Sequence, residues 1–289
     1  MTKRNAIIMA AGTSSRFVPL SVERPKGLLE VKGEVLIERQ ICQLKEAGIE
    51  DITLVVGYKA EMFAYLKKKY GVSIVCNEDY ACYNNTSSVI RVIEKLDNTF
   101  VCSSDNYFPD NVFVKESAES YYSALYAEGE TGEYCLTTND NGQITEVKIG
   151  GRDAWYMVGH VFFNHEFSEV FRKIMIEEYK NEETKQGYWE DVYIRYIDQL
   201  PKMRINRYKE GEILEFDSLD ELRQFDESYK DDTCSSVVKQ ICQQLEVKEA
   251  DVYAFKNIRH KGDYLHFRFM VGEIPYEYNS EKGVEIKRI

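Results

Sequence analysis

An apolar run, Ala6-Ile7-Ile8-Met9, feeds the small-residue segment Ala10-Ala11-Gly12-Thr13-Ser14-Ser15 and then Arg16, with Lys26 following behind Pro25. Small residues let a backbone approach a ligand closely, and successive N–H groups line an anion-binding concavity. With Arg16 and Lys26 as cations beside it, the segment suits a nucleoside triphosphate. It is not a Walker loop, because no Gly-Lys-Ser/Thr follows, and Gly12 stands alone, so it is not a dinucleotide fingerprint. The same residues also read as a strand-to-loop turn with surface cations, and Arg24 is either a further phosphate contact or one of those cations. A second group is Tyr188-Trp189-Glu190-Asp191. Aromatic faces with carboxylates nearby recognise an organic cation, although aromatics more often fill a core.

The elements that must position these groups alternate in type. Ala6–Met9, Ile52–Val56, Val72–Cys76 and Thr99–Ser103 read as strands, and Val35–Ala47, Ala60–Tyr70 and Ser87–Leu96 as helices with apolar residues at helical spacing. Alternation of this kind predicts a mostly parallel sheet flanked by helices, with ligands bound outside the carboxyl ends of the strands. Gly12–Arg16, Gly57-Tyr58 and Asp105 fall at such ends. Beyond residue 120, Tyr121–Tyr126, Glu133–Thr138, Ile144–Ile149 and Trp155–Phe163 predict a mixed or antiparallel extension, with turns at Asn141-Gly142 and Gly150-Gly151. Helices are expected over Phe167–Tyr179, Tyr188–Gln199 and Ser218–Tyr229, the last opened by a Ser218/Glu221 capping box. The polar stretch 230–236 reads as a linker. It divides a domain over 1–230 from a small α+β appendage over 235–289.

The Ala-Ala-Gly-x-x-Ser-Arg loop with its downstream Pro-Lys resembles the signature of nucleotidyltransferases that join an NTP to a small phosphate ester. Asn77-Glu78-Asp79-Tyr80, Tyr83-Asn84-Asn85, Ser104-Asp105-Asn106-Tyr107, Tyr188-Trp189-Glu190-Asp191 and Glu215-Phe216-Asp217-Ser218 follow in the order found in the bacterial CTP:phosphocholine cytidylyltransferases. The resemblance covers roughly residues 5–230. It implies a Rossmann-like nucleotidyltransferase fold and transfer of a cytidylyl group from CTP to phosphocholine with Mg²⁺. Asp105 and Asp217 become the metal carboxylates, with Arg16 and Lys26 on the triphosphate. Ala10, Ala11, Gly12, Thr13, Ser14, Ser15, Gly57, Tyr83, Asn84 and Asn85 become the nucleotide contacts. Tyr107, Tyr134, Tyr188, Trp189, Glu190 and Asp191 become the choline cage. Asn84 and Asn85 also suit a turn and N-cap. Ser14 stands where relatives often carry a second glycine, and serine restricts φ. The tail, with Ile241-Cys242, Val247–Asp251 and Lys261-Gly262, weakly resembles the opening of bacterial choline kinase-like proteins. No His-x-Asp or Asp-Phe-Gly element follows.

Composition narrows the alternatives. The net charge of −12 over 289 residues argues against a general nucleic-acid binder, and no stretch is apolar enough to span a bilayer. The seven cysteines lack Cys-x-x-Cys pairs and read as free thiols of a cytoplasmic protein. Three rivals remain open. A cytidylyltransferase for phosphoethanolamine or an aminoalkyl phosphonate shares everything but the cage. A sugar-1-phosphate nucleotidyltransferase shares the loop and the aspartates. A non-catalytic nucleotide-binding module would keep only the fold.

Overall fold

The structure, a computed structural model, describes residues 3–114, 117–261, 264–281 and 285–289; Gly262 of the Lys261-Gly262 pair lies outside them. The chain divides into two compact units, Met1–Gly12 with Leu36–Glu215 and Thr13–Val35 with Phe216–Ile289. This division by packing differs from the break expected at 230–236. The second unit takes in the segment after the small-residue loop because Val18 sits in one apolar cluster with Val237, Val238, Ile241 and Phe267. In the same unit the Lys32 N–H donates to Asp226 (2.6 Å) and the Tyr229 hydroxyl to the Glu30 carbonyl (2.6 Å).

The first unit opens on strand β1 (Asn5–Ala10), then helix α1 (Leu36–Glu46), β2 (Asp51–Val56), α2 (Ala64–Tyr70), β3 (Ser73–Cys76), α3 (Thr86–Arg91) and β4 (Thr99–Ser103). These strands run parallel, β1 lying between β2 and β4 and β3 beside β2. β1, β2 and β4 are largely buried and are near-continuous apolar runs, as parallel strands covered on both faces must be, whereas β3 at the sheet edge is only partly covered. The chain continues through β5 (Asn106–Tyr107), β6 (Tyr121–Thr138), β7 (Ile144–Phe163), α4 (His165–Glu178), α5 (Glu182–Gln186), α6 (Trp189–Arg195), β8 (Arg204–Arg207) and β9 (Leu214–Glu215). The main sheet has the order β8-β6-β7-β4-β1-β2-β3, and β5 and β9 form a separate antiparallel ribbon. β7 is antiparallel to β4 and β6, which makes the extension mixed.

Two expected pairs of short strands are each one long strand, β6 and β7. Gly142 (φ +73°) makes the expected turn, its N–H donating to the Asn139 carbonyl (2.9 Å). Gly150-Gly151 does not turn the chain. Gly150 (φ +78°) lies inside β7, and Gly151 pairs with Thr131 where the register shifts. Paired glycines serve a bulge as readily as a turn. The apolar core of this unit gathers Ile7, Val55, Val101, Val161, Phe163, Phe171 and Trp189.

The second unit carries helices α7 (Leu219–Phe225), α8 (Ser228–Asp231) and α9 (Ser236–Leu245) and an antiparallel sheet of β10 (Val252–Lys261), β11 (Tyr264–Val271), β12 (Ile274–Asn279) and β13 (Glu285–Arg288). The helix expected over Ser218–Tyr229 is α7 followed by α8. Among the described residues no helix is long and apolar enough to cross a membrane.

Candidate active site

In the first unit, β1 delivers buried Ala10 and Ala11 to the start of the small-residue loop. The Tyr58 N–H donates to the Ala11 carbonyl (3.1 Å). A Cβ on Gly57 would stand 2.7 Å from Tyr80 Cβ and 3.0 Å from Ala11 Cβ. Gly57 is therefore the spacer that lets the Tyr80 ring lie against this loop. At the carboxyl end of β4, the turn before β5 holds Asp105, with the Ser103 hydroxyl donating to its carboxylate. Beside it Asn106 is buried, and its amide donates to Glu215 on β9 (3.4 Å).

A second cluster in the same unit joins α3, β6 and the start of α6. The Asn85 side chain accepts the Trp189 N–H (2.8 Å) and donates to Glu190 (3.2 Å), and Thr86 donates to the Gly187 carbonyl (2.6 Å). These bonds stitch 85–86 to 187–190 and fix the helix start. Asp191, three residues into that start, accepts the Tyr188 N–H (2.8 Å) and the Tyr134 hydroxyl (3.0 Å). Glu190 also accepts the Tyr122 hydroxyl (3.2 Å). Burial pushes the Glu190 carboxyl up to about 7, against hydrogen bonds from its own N–H, Asn85 and Tyr122 that lower it. Among the described residues no cation pairs with Glu190 or Asp191. The desolvated Glu190 thus lacks a neighbouring positive charge that would favour its ionisation.

The residues expected in the cage divide. Tyr134, Tyr188, Glu190 and Asp191 come together, and Tyr188 is 46 % exposed. Trp189 is 4 % exposed. Its ring stacks on Tyr122 (5.9 Å between centroids) and meets Phe163 and Phe171 edge-on. It is core, because the first turn of α6 turns position 189 inward. Tyr107 is buried with the Arg39 guanidinium 4.8 Å above its ring. Asn85 spends its amide on Trp189 and Glu190, which leaves it a positioning role in place of base reading. The Asn84 carbonyl oxygen of the side chain accepts the Asn85 N–H (2.8 Å), and Tyr83 donates to Glu182 (3.2 Å) under the Lys185 ammonium. Tyr122 and Glu215 escaped the sequence reading as site residues. Glu215 stood within a quoted motif, whereas Tyr122 carried no signal beyond its place in a β-rich run.

In the second unit Ser14 takes the left-handed conformation (φ 49°) and its carbonyl accepts the Phe17 N–H (2.9 Å). Lys26 is 5 % exposed, with its ammonium 5.8 Å from the Phe17 ring. Asp217 pairs with both cations, at 3.3 Å from Arg16 and 3.8 Å from Lys26. Half of the expected capping box forms: Ser218 caps the helix, but the Glu221 side chain reaches the N–H of Asp217 in place of that of Ser218. Ser218 accepts the Glu221 N–H (3.2 Å), and Glu221 accepts the Asp217 N–H (2.9 Å), which fixes the aspartate's backbone. A buried ammonium needs an anion, and Asp217 supplies it.

The MobA-like NTP transferase domain model matches residues 6–162. The chain is 36% identical over 231 residues to a 2-aminoethylphosphonate cytidylyltransferase of Lancefieldella rimae, covering 78% of this chain and 94% of that one. It is 34% identical over 227 residues to a choline-phosphate cytidylyltransferase of Streptococcus pneumoniae, covering 78% of this chain and 99% of that one. A solved structure of the CTP:phosphocholine cytidylyltransferase from Streptococcus pneumoniae superposes with a TM-score of 0.75 at 34% identity, over 78% of this chain and 99% of that chain.

Proposed function

The chain belongs to the MobA-like NTP transferases and is a nucleotidyltransferase of the choline-phosphate cytidylyltransferase family; on that footing we propose that it transfers the cytidylyl group of CTP to phosphocholine. A phosphate oxygen of the acceptor attacks the α-phosphorus. The new P–O bond forms as the bond to the β-phosphate bridge breaks, and pyrophosphate leaves with its charge. Such a reaction asks for positioning and electrostatics more than covalent help. Arg16 and Lys26 would meet the triphosphate, Lys26 from a buried position where its charge is little screened. Ala10–Gly12 would take the nucleotide through the backbone, with Thr13, Ser14 and Ser15 following in the loop.

Among the described residues no three His, Cys, Asp or Glu side chains form a metal cage. Mg²⁺ does not need one, since it takes one or two carboxylates and completes its shell with phosphate oxygens and water. Asp105 and Asp217 are oxygen donors of that kind, and we assign them as its ligands. The ion would neutralise charge developing on the phosphates.

The observation that carries the substrate class is the Glu190–Asp191 pair, with Glu190 desolvated, bonded to Tyr122 and Tyr134 and, among the described residues, without a protein cation. A cationic amine supplies the missing charge, and the rings of Tyr134 and Tyr188 suit a methylated one. A second reading has its own support. With Trp189 in the core, carboxylate oxygens outweigh open ring faces, which favours a primary ammonium as in phosphoethanolamine or an aminoalkyl phosphonate. The seven cysteines are all free, which supports a cytoplasmic setting.

The test is pyrophosphate release across CTP and UTP with phosphocholine, phosphoethanolamine, 2-aminoethylphosphonate and glucose-1-phosphate. Release with CTP and phosphocholine is expected. Release confined to the primary amines moves the assignment to the second reading, and release confined to the sugar phosphate overturns both.

A further inference from the structure

The loop that carries Asp105 is gripped from one side by a single helix. On α1, Arg39, Gln40 and Gln43 share one face at i, i+1 and i+4. Gln40 donates from the same amide nitrogen to the Ser103 carbonyl (2.8 Å) and to the Asn106 carbonyl (3.0 Å). Those carbonyls flank Asp105 on either side. Gln43 donates to the Phe108 carbonyl (2.9 Å). Arg39 donates to the Phe108 carbonyl (2.9 Å) and the Pro109 carbonyl (2.6 Å).

Backbone polar groups buried in a turn need partners, and these carbonyls find them in side chains. Gln40 is 1 % exposed. Its amide has two N–H bonds, and both are spent on the Asp105 turn. Among the described residues, the acceptor ends of Gln40 and Gln43 are buried without hydrogen-bond partners. An amide kept in the interior with its oxygen unsatisfied is there for its donors.

We propose that Gln40 is the positioning residue for the Asp105 carboxylate, with Gln43 and Arg39 extending the same clamp to the rest of the loop. By holding both stems of the turn, Gln40 sets where the carboxylate stands relative to the metal–CTP complex. The inference rests on the assignment of Asp105 as a metal ligand. A residue acting this way affects the metal step and turnover more than the affinity for nucleotide.

The test uses the full chain with Gln40→Met, which keeps length and shape but cannot donate. Mn²⁺ affinity in the presence of CTP is read from the free-Mn²⁺ electron paramagnetic resonance signal, alongside the Mg²⁺ activation curve. Weaker Mn²⁺ binding is expected, with kcat about 10- to 100-fold lower, the cost of a displacement of roughly 1 Å. KM for CTP at saturating metal should stay within about twofold of the parent, since groups that bind both ground and transition states alike are left in place. A folded Gln40→Met protein with parental Mn²⁺ affinity and a parental Mg²⁺ curve overturns the proposal, as does a loss confined to KM for CTP. Should Gln40→Met fail to fold, Gln40→Asn carries the same measurement, since it keeps the amide but is one methylene too short to hold both carbonyls, and parental metal binding there overturns the proposal equally. Asp105→Asn is the reference. Parental metal binding in that variant would remove the metal assignment itself, an outcome separate from failure of the clamp.

Discussion

Glu190 offers the sharpest perturbation. Its carboxyl moves from an ordinary 4.5 to about 7 on folding because burial disfavours the charge. A carboxyl whose folded pKa is raised binds its proton more tightly in the folded state. Its contribution is therefore fully present below about pH 4.5 and is lost as pH rises through about 7. The difference corresponds to about 3 kcal/mol between acid and mildly alkaline conditions. Glu190→Gln removes the titration but keeps the size. Its oxygen can still accept from Asn85, and its nitrogen can donate to the Tyr122 hydroxyl, which turns to accept. Urea denaturation at pH 5 and pH 8 should find the variant close to the parent at the lower pH and more stable by up to about 3 kcal/mol at the higher. The same charge should appear in substrate use. A cationic amine favours the carboxylate, so parental KM for the amine substrate should fall as pH rises through about 7, while the variant's KM should be higher and flat. Equal stability differences at both pH values, together with an unchanged amine KM, would refute the reasoning that Glu190 is desolvated to await a cation.

Trp189→Ala should cost about 3–5 kcal/mol in a denaturant titration, the scale of emptying a buried aromatic site; a loss limited to amine KM at full stability would return Trp189 to the cage. Lys26→Ala should lower kcat/KM for CTP by about 100-fold, the scale of one preorganised charge, measured by steady-state pyrophosphate release; a folded variant with parental CTP use would show that this loop does not meet the triphosphate. Ser14→Gly should stabilise the protein by about 1 kcal/mol in thermal unfolding, because glycine takes the left-handed conformation at φ 49° without the Cβ penalty; no gain would mean the serine is held there without strain.

Much was already legible along the chain, for reasons that are local. Strand β1 and its small-residue loop, the alternation of apolar strands with amphipathic helices, the Asn141-Gly142 turn and the Ser218 N-cap all depend on neighbours within a few positions. Periodicity and turn chemistry suffice for these. The ordered motifs pointed to a cytidylyltransferase through their resemblance to that family, since each motif is a short local run of residues. Other features depended on which way a side chain turns once elements pack. Position 189 faces the core because Asn85 captures its N–H and Tyr122 covers its ring, and neither partner is near in sequence. Gly150-Gly151 bulges within a strand because Thr131 pairs opposite Gly151. Glu190 acquires its raised pKa from burial, and Gln40 finds the carbonyls on either side of Asp105 only when helix α1 lies against that turn. Desolvation and hydrogen bonding across long sequence separations are set by tertiary packing, and no spacing along one chain encodes them.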